Sequence, residues 1–219
     1  MNNKLLLFLC LLLMLPFLSV ASCVCGGDRT LTKANQQEIF NRSDAVFIGK
    51  VVAAKGIPNH PELVPDTYDF TFSIQKYFKG KPAADSTFVV RKAIGCCDND
   101  YRLGEEWLVV ASFDKDSMLH ASVCTSTAQI IKGALQKADA IVFQLFLAKK
   151  LEKQDKTFLL AYTNGKPAVK GNLKSGSLHG KMQFLNEAGI VERQESYNNG
   201  VMQEYIRLYR DSGKIMEKN

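Results

Sequence analysis

The chain of 219 residues lacks the residues and motifs from which catalytic sites are usually built. Its three histidines, His60, His120 and His179, are far apart, and it has no G-x-S-x-G, H-E-x-x-H or glycine-rich phosphate-loop motif. Two pairs of acids resemble catalytic carboxylate pairs, but neighbouring acids in a turn are more typical of a solvated loop: Asp98 with Asp100, and Glu105 with Glu106. We therefore predict that the protein is not an enzyme and has no cofactor.

The chain also lacks an apolar run long enough to cross a membrane. Its most apolar stretch, residues 5–18, has ~14 residues, whereas a membrane-spanning helix needs ~20. With Lys4 before it and the small residues 20–22 (Val-Ala-Ser) after it, this stretch is typical of a secretory signal. We interpret residues 1–22 as a signal peptide, which makes Cys23 the first residue of the mature chain.

Charge is unevenly distributed along the mature chain. Residues 23–127 carry 12 Lys and Arg against 13 Asp and Glu, whereas residues 128–219 carry 15 against 9. The difference indicates two structural units. The basic second half suits contact with anionic lipid or polysaccharide, although its interleaved acids also fit an ordinary solvated surface. Nucleic-acid binding is not expected, because exported proteins rarely meet nucleic acid.

The number of cysteines left after the predicted cut is odd. Of six cysteines, Cys10 leaves with the signal, and five remain: Cys23, Cys25, Cys96, Cys97 and Cys124. Disulfides are the default in an oxidising compartment, so one thiol is left over or modified. Lipid attachment at Cys23, which ends a lipobox-like Val-Ala-Ser-Cys, would leave an even set. The spacing is poor for zinc, and we predict no metal site in the chain itself.

The first half of the mature chain reads as a short helix followed by strands. Residues 32–42 predict the helix, with Thr32 as its N-cap. Short runs rich in β-branched and aromatic residues, several of them alternating with polar ones, then predict five strands: 45–52, 68–75, 87–91, 107–113 and 119–123. Their spacing by turns predicts a small closed or sandwiched β-domain.

After Cys124 the period of the apolar residues changes. From Ile130 to Phe146 they recur at steps of three and four, which predicts a helix. Ser126 or Thr127 would cap this helix, and it would run to about residue 151 before a charged stretch. We assign residues 128–156 to this helix and linker.

Residues 157–219 contain an internal repeat marked by glycine. The glycines form two series with a spacing of 24 residues: Gly165, Gly189 and Gly213, and Gly176 and Gly200. Glycine suits turns that need a positive φ, so each repeat predicts a pair of short strands with two glycine turns. One such unit cannot bury a core, so the repeats must stack on each other or on a neighbouring element.

The order of these segments resembles the netrin-like domain, the group to which tissue inhibitors of metalloproteinases belong. The resemblance covers residues 23–127 and rests on five segments: 23–25 (CVC), 43–51 (SDAVFIGKV), 68–80 (YDFTFSIQKYFKG), 96–112 (CCDNDYRLGEEWLVVAS) and 119–127 (LHASVCTST). It implies a five-stranded OB-type barrel whose N-terminal segment is tied down by disulfides. The repeat resembles the MORN-variant repeats of bacterial proteins, which implies stacked β-hairpins.

The resemblance also implies a disulfide pairing. Cys25 would pair with Cys124, and Cys23 would pair with Cys96 or Cys97 if its sulfur is not lipidated. The doublet Cys96-Cys97 departs from the single cysteine of the family at this place.

Two functions follow from these residues, and they exclude each other. In the inhibitors the amine and carbonyl of the first cysteine coordinate the protease zinc and the next side chain enters the specificity pocket; here these would be Cys23 and Val24. Acylation of the Cys23 amine would abolish this chemistry. We expect a lipid-anchored protein of the bacterial cell envelope, periplasmic or at the surface, that attaches to membrane through Cys23 and binds another protein or a glycan. The alternative is a secreted metalloprotease inhibitor.

Overall fold

The computed structural model describes residues 30–57, 67–82, 86–93, 99–151, 155–208 and 215–218. This part of the chain is mainly β, with two helices, α1 (Lys33–Arg42) and α2 (Ala138–Leu147). The mainly β fold class with flanking helices is therefore confirmed. The predicted N-cap of α1 is also present, since Thr32 Oγ1 accepts a hydrogen bond of 3.2 Å from the Asn35 N–H.

The first sheet contains seven strands, and five of them pair in a closed ring. The strands are β1 (Ala45–Ile57), β2 (Thr67–Lys79), β3 (Thr87–Ala93), β4 (Glu106–Phe113), β5 (Leu119–His120), β6 (Ala128–Ile131) and β7 (Ala134–Leu135). β1 pairs with both β2 and β4, β2 pairs with β3, and β5 pairs with both β3 and β4. The β3–β5 pair is parallel and the others in the ring are antiparallel.

Aromatic side chains fill the inside of this ring, which we call the ring core. Phe47 stacks on Phe88 with ring centroids 4.7 Å apart, and Tyr101 meets Phe72 edge-on at 5.2 Å and Trp107 at 4.8 Å. All five side chains are buried. Aromatic pairs in these geometries stabilise a core beyond the area that they bury.

The first half of the predicted long helix is wrong. Residues 128–135 form the hairpin β6–β7, and α2 begins only at Ala138. Lys132 and Gly133 have φ values of +50° and +84°, as in a two-residue hairpin turn, and the β-branched Ile130 and Ile131 favour a strand. The strand predicted over 119–123 is likewise shorter and ends at His120.

The second sheet is built from the repeat. Its strands are β8 (Lys156–Ala161), β9 (Pro167–Lys174), β10 (Ser177–Leu178), β11 (Gly180–Leu185), β12 (Val191–Asn198), β13 (Val201–Leu208) and β14 (Ile215–Lys218). All its pairings are antiparallel: β9 pairs with β8, β10 and β11, and β11, β12, β13 and β14 pair in chain order.

The glycine turns of the repeat recur with the same backbone geometry. Gly165 and Gly189 both have φ of +81°, and Gly176 and Gly200 have φ of +78° and +86°. The predicted positive φ is confirmed at these four positions, and Gly213 lies outside the described residues. A repeat unit therefore supplies two strands to one antiparallel sheet.

The two sheets share a second hydrophobic core, which we call the shared core. It joins Leu108 of β4 and Ile141 of α2 to Phe158, Met182 and Phe184 of the second sheet. These side chains are at most 7% exposed. The apolar face of α2 thus packs between the two sheets.

Candidate functional site

Cys124 is the one predicted site residue among those that the structure describes. Cys23, Val24, Cys25, Cys96 and Cys97 lie outside the described residues. Cys124 takes part in a disulfide bond. Its pairing with Cys25, and that of Cys23 with Cys96 or Cys97, remain predictions.

Cys124 lies in a tight turn that a lysine holds in place. Its N–H donates to Ser122 Oγ at 3.1 Å, and the Thr125 N–H donates to Ser122 O at 3.0 Å. Lys137 Nζ donates to two backbone carbonyls of the turn, Val123 O at 2.8 Å and Thr125 O at 2.7 Å. The residue before α2 therefore fixes the position of the cystine turn.

A buried asparagine links the two cysteine-bearing segments. Asn99, two residues after Cys97, donates from Nδ2 to Ala121 O at 2.6 Å, and Ala121 is three residues before Cys124. Asn99 is only 6% exposed, so this hydrogen bond is shielded from water. The described ends of both segments are thus held together at one edge of the ring.

A shallow groove of about 310 Å³ lies beside the cystine turn. Trp107 and Val123 are among its apolar lining, and Gln129, Gln136 and Lys137 are among its polar lining. The sequence did not indicate this groove, because residues 128–137 were assigned to the predicted helix. The Lys132-Gly133 turn is the sequence signal that would have indicated the hairpin.

The acidic residues considered as catalytic pairs make structural contacts. Asp100 lies 3.2 Å from Arg102 Nη2, and hydrogen bonding to Arg102 lowers the pKa of that carboxyl. Glu105 Oε2 accepts from Trp107 Nε1 at 3.1 Å, and Glu106 Oε1 accepts from Gln75 Nε2 at 2.6 Å. Asp98 lies outside the described residues.

His120 sits on the outer side of the ring in a row of charged side chains. Its Nε2 lies 3.0 Å from Asp114 Oδ2, and its strand neighbour Arg91 contacts Asp69 through two hydrogen bonds of 2.7 and 2.9 Å. Hydrogen bonding to Asp69 raises the pKa of Arg91. Within the described ranges, no three His, Cys, Asp or Glu side chains lie together as a metal site would require.

The first described residues of the chain lie against the glycine turns of the second sheet. The Leu31 N–H donates to Gly200 O at 2.8 Å, Leu31 O accepts from the Leu178 N–H at 3.1 Å, and the Lys33 N–H donates to Gly176 O at 3.1 Å. A Cβ on Gly200 would lie 2.9 Å from the Leu31 backbone, so this approach requires glycine. Residues 31–33 are therefore fixed to the repeat sheet.

A buried polar cluster joins the second sheet to the loop before α2. Arg193 Nε lies 3.0 Å from Glu195 Oε1, and Arg193 Nη2 donates to Gln136 O at 2.5 Å. Tyr197 donates its hydroxyl to Glu195 Oε2 at 2.6 Å, and burial together with the nearby carboxylate raises the pKa of Tyr197. The Arg193 guanidinium also lies 3.6 Å from the centroid of the Phe184 ring.

A scan against models of protein families finds no match for this chain, and a search of curated proteins finds none either. The netrin-like and MORN-variant resemblances therefore remain predictions from the quoted segments. In the part of the chain that the structure describes, neither α1 nor α2 is long and apolar enough to cross a bilayer.

Proposed function

We propose that the protein is exported, is anchored to membrane by a lipid on Cys23, and acts in the bacterial cell envelope as a non-catalytic binding protein for another protein or a glycan. In this proposal the five-strand ring is an OB-type barrel of the netrin-like kind. The second sheet is a set of MORN-variant β-hairpins.

The observation that carries the proposal is the attachment of residues 30–33 to the second sheet. Thr30 follows Cys23 by seven residues, and seven extended residues span at most ~25 Å. The backbone hydrogen bonds of Leu31 and Lys33 then connect this segment to a body whose two sheets share one core. A lipid on Cys23 would therefore tether the whole folded body close to the membrane.

The chemistry of the terminus tests this proposal. We expect mass spectrometry of the mature N-terminal peptide to find a thioether-linked lipid on Cys23, and the protein to partition into detergent, because each buried CH₂ contributes ~0.8 kcal/mol. Cys23→Ala should move the protein to the aqueous phase, whereas the neighbouring Val24→Ala should leave it in detergent. An unmodified Cys23 in a soluble protein would overturn the proposal.

The second candidate is a secreted metalloprotease inhibitor, which the disulfide-bonded Cys124 beside a five-strand ring favours. In that case the Cys23 amine and carbonyl would coordinate the protease zinc, and Val24 would enter its pocket. One extra residue ahead of Cys23 would move the amine away from the metal and should abolish inhibition. Equal inhibition by the mature and the extended chain would contradict this mechanism.

A further inference from the structure

Three exposed lysines lie on the outward face of the second sheet. Lys170 and Lys174 alternate along β9 with buried residues, and Lys181 is exposed on β11. Gln183 pairs with Lys170 across the two strands, so Lys181, two residues from Gln183, lies on the same face. Asn172 projects between Lys170 and Lys174 from this face.

These lysines outnumber the acids beside them. Asp155, next to β8, is one such acid, and its Oδ1 accepts from the Ser175 N–H at 3.2 Å. None of the lysines' side-chain ammonium groups has a hydrogen-bond or ion-pair partner among the described residues. Lys181 is a diagonal cross-strand neighbour of Lys170. Residues in such diagonal positions are ~7–8 Å apart. The acid Glu204, on β13, is already paired with Lys218 at 2.8 Å.

Amide side chains occupy the positions between and beside the lysines. Gln183 donates from Nε2 to Gln194 Oε1 at 3.4 Å, and both lie in one cross-strand row with Lys170. Primary amides both donate and accept hydrogen bonds, as the hydroxyls of a sugar do. Leu159, 56% exposed and paired with Lys170 across β8 and β9, adds an apolar surface for the C–H face of a sugar ring.

We propose that this lysine–amide face (Lys170, Lys174, Lys181, Asn172, Gln183 and Gln194) binds an anionic polysaccharide. The ammonium groups contact carboxylates or phosphates of the polymer, and the amides hydrogen-bond its hydroxyls. The amide row favours a polysaccharide over a lipid surface, because membrane-surface binding strengthens with the apolar area beside the cations, and here Leu159 stands beside a face of lysines and amides. This inference rests on the proposed function and names the chemical class of its binding partner.

The test measures binding of the mature chain to polygalacturonate, with neutral dextran as the comparison polymer, by affinity electrophoresis and calorimetry. We expect polygalacturonate to bind and dextran not to bind. The triple variant Lys170→Gln, Lys174→Gln, Lys181→Gln should bind at least tenfold more weakly. A control triple, Lys50→Gln, Lys55→Gln, Lys115→Gln, changes exposed lysines of the first sheet and its turns by the same net charge and should bind like the wild type.

Equal losses in the two triples would show that only net charge matters and would overturn the proposal, as would no loss in the first. A double variant, Gln183→Met with Gln194→Met, keeps the charge, and we expect it to bind at least threefold more weakly. Wild-type affinity of this double variant would contradict the role of the amides.

The remaining outcomes separate the two proposals. The vesicle arm uses Cys23→Ala, so that a lipid on Cys23 cannot carry the protein into the bilayer. Binding of this variant to phosphatidylglycerol vesicles without binding to polygalacturonate would replace the polysaccharide by a lipid surface. A lipid-free Cys23 would overturn the anchor and leave polymer binding unchanged, whereas a lipidated protein that ignores polygalacturonate would overturn only this inference.

Discussion

In the first sheet Gly49 of β1 pairs with Trp107 of β4, far along the chain, whereas nearly every pairing in the second sheet joins strands separated by one turn. Five strands of the first sheet close into a ring, whereas the second sheet ends at β14, whose four residues are all exposed. A ring requires contacts between distant segments, but a repeat extends by repeating one local geometry. The difference shows how one chain combines two ways of building a sheet.

The two sheets also differ in how they bury apolar side chains. The first sheet has the ring core to itself, whereas the buried side chains of the second, such as Phe158 and Met182, meet Ile141 of α2 in the shared core. The second sheet thus depends on α2, and on Leu108 of the first sheet, to bury its apolar side chains. The predictions below break or sharpen this contrast.

The largest effect is expected from removing the second sheet. The charge split and the 24-residue period predict that residues 23–152 fold without residues 157–219. A chain truncated after residue 154 would, however, expose Leu108 and Ile141 of the shared core. Each large apolar side chain contributes ~1.5–3 kcal/mol when buried, and a domain is stable by only ~5–15 kcal/mol. We expect the truncated chain to lose its near-ultraviolet circular dichroism and its cooperative melting. A soluble fragment that melts cooperatively would instead support two independent units.

A smaller loss is expected when the polar link between the sheets is broken. Glu195→Ala removes the carboxylate that pairs with Arg193, and it leaves that cation without its partner beside Gln136. Removing one partner of a buried ion pair costs ~3–5 kcal/mol, and we expect about 3 because Arg193 is partly exposed. Denaturant unfolding measures the change. Tyr197→Phe is the comparison, since it removes one hydrogen bond to the same carboxylate but keeps the ion pair, and it should cost less, ~1.5 kcal/mol.

The glycine turns allow a matched comparison within the repeat itself. Gly189→Ala and Gly200→Ala both place a Cβ on a residue with positive φ, at +81° and +86°. At Gly189 the Cβ would meet nothing within 4 Å, so only the backbone cost of ~1–2 kcal/mol applies. At Gly200 it meets the Leu31 backbone at 2.9 Å, and overpacking adds ~1 kcal/mol or more. Equal losses in thermal or denaturant unfolding would mean that residues 30–33 move away at little cost.

Local features of the fold were predictable from the sequence, and contacts between distant segments were not. Thr32 as an N-cap and the four glycine turns depend only on nearby residues, and both are present. Ile130 and Ile131 were assigned to a helix because apolar residues recur there at steps of three and four. A hairpin followed by a helix produces the same spacing. The spacing did not show which of the two was present.

The site was predictable only in part for a related reason. The predicted signal peptide led to the expectation of disulfides, and Cys124 takes part in one. Lys137 binds the cystine turn through backbone carbonyls, which every residue possesses, so no sequence pattern marks that contact. For the lysine–amide face, the sequence indicated only the basic charge of the second half. The lysines and amides of this face come together through strand register, which the sequence does not show.

The smallest effect is expected at a turn of the first sheet that a side chain, not a glycine, holds in place. Asp114 Oδ1 accepts from the Asp116 and Met118 N–H groups at 2.8 and 2.9 Å. The hydrogen bond from Met118 and the neighbouring His120 and Arg91 lower the pKa of Asp114. A carboxyl with a lowered folded-state pKa adds stability above its unfolded pKa of ~3.9, and that stability is lost as the pH falls through the folded value. Asp114→Asn should therefore lower the melting temperature slightly at pH 7, and the difference from wild type should shrink toward pH 2.

Asp116→Asn, in the same turn, is the control and should change the melting temperature less at pH 7. A difference for Asp114→Asn that persists unchanged at pH 2 would mean that the turn depends on the shape of the side chain and not on its charge.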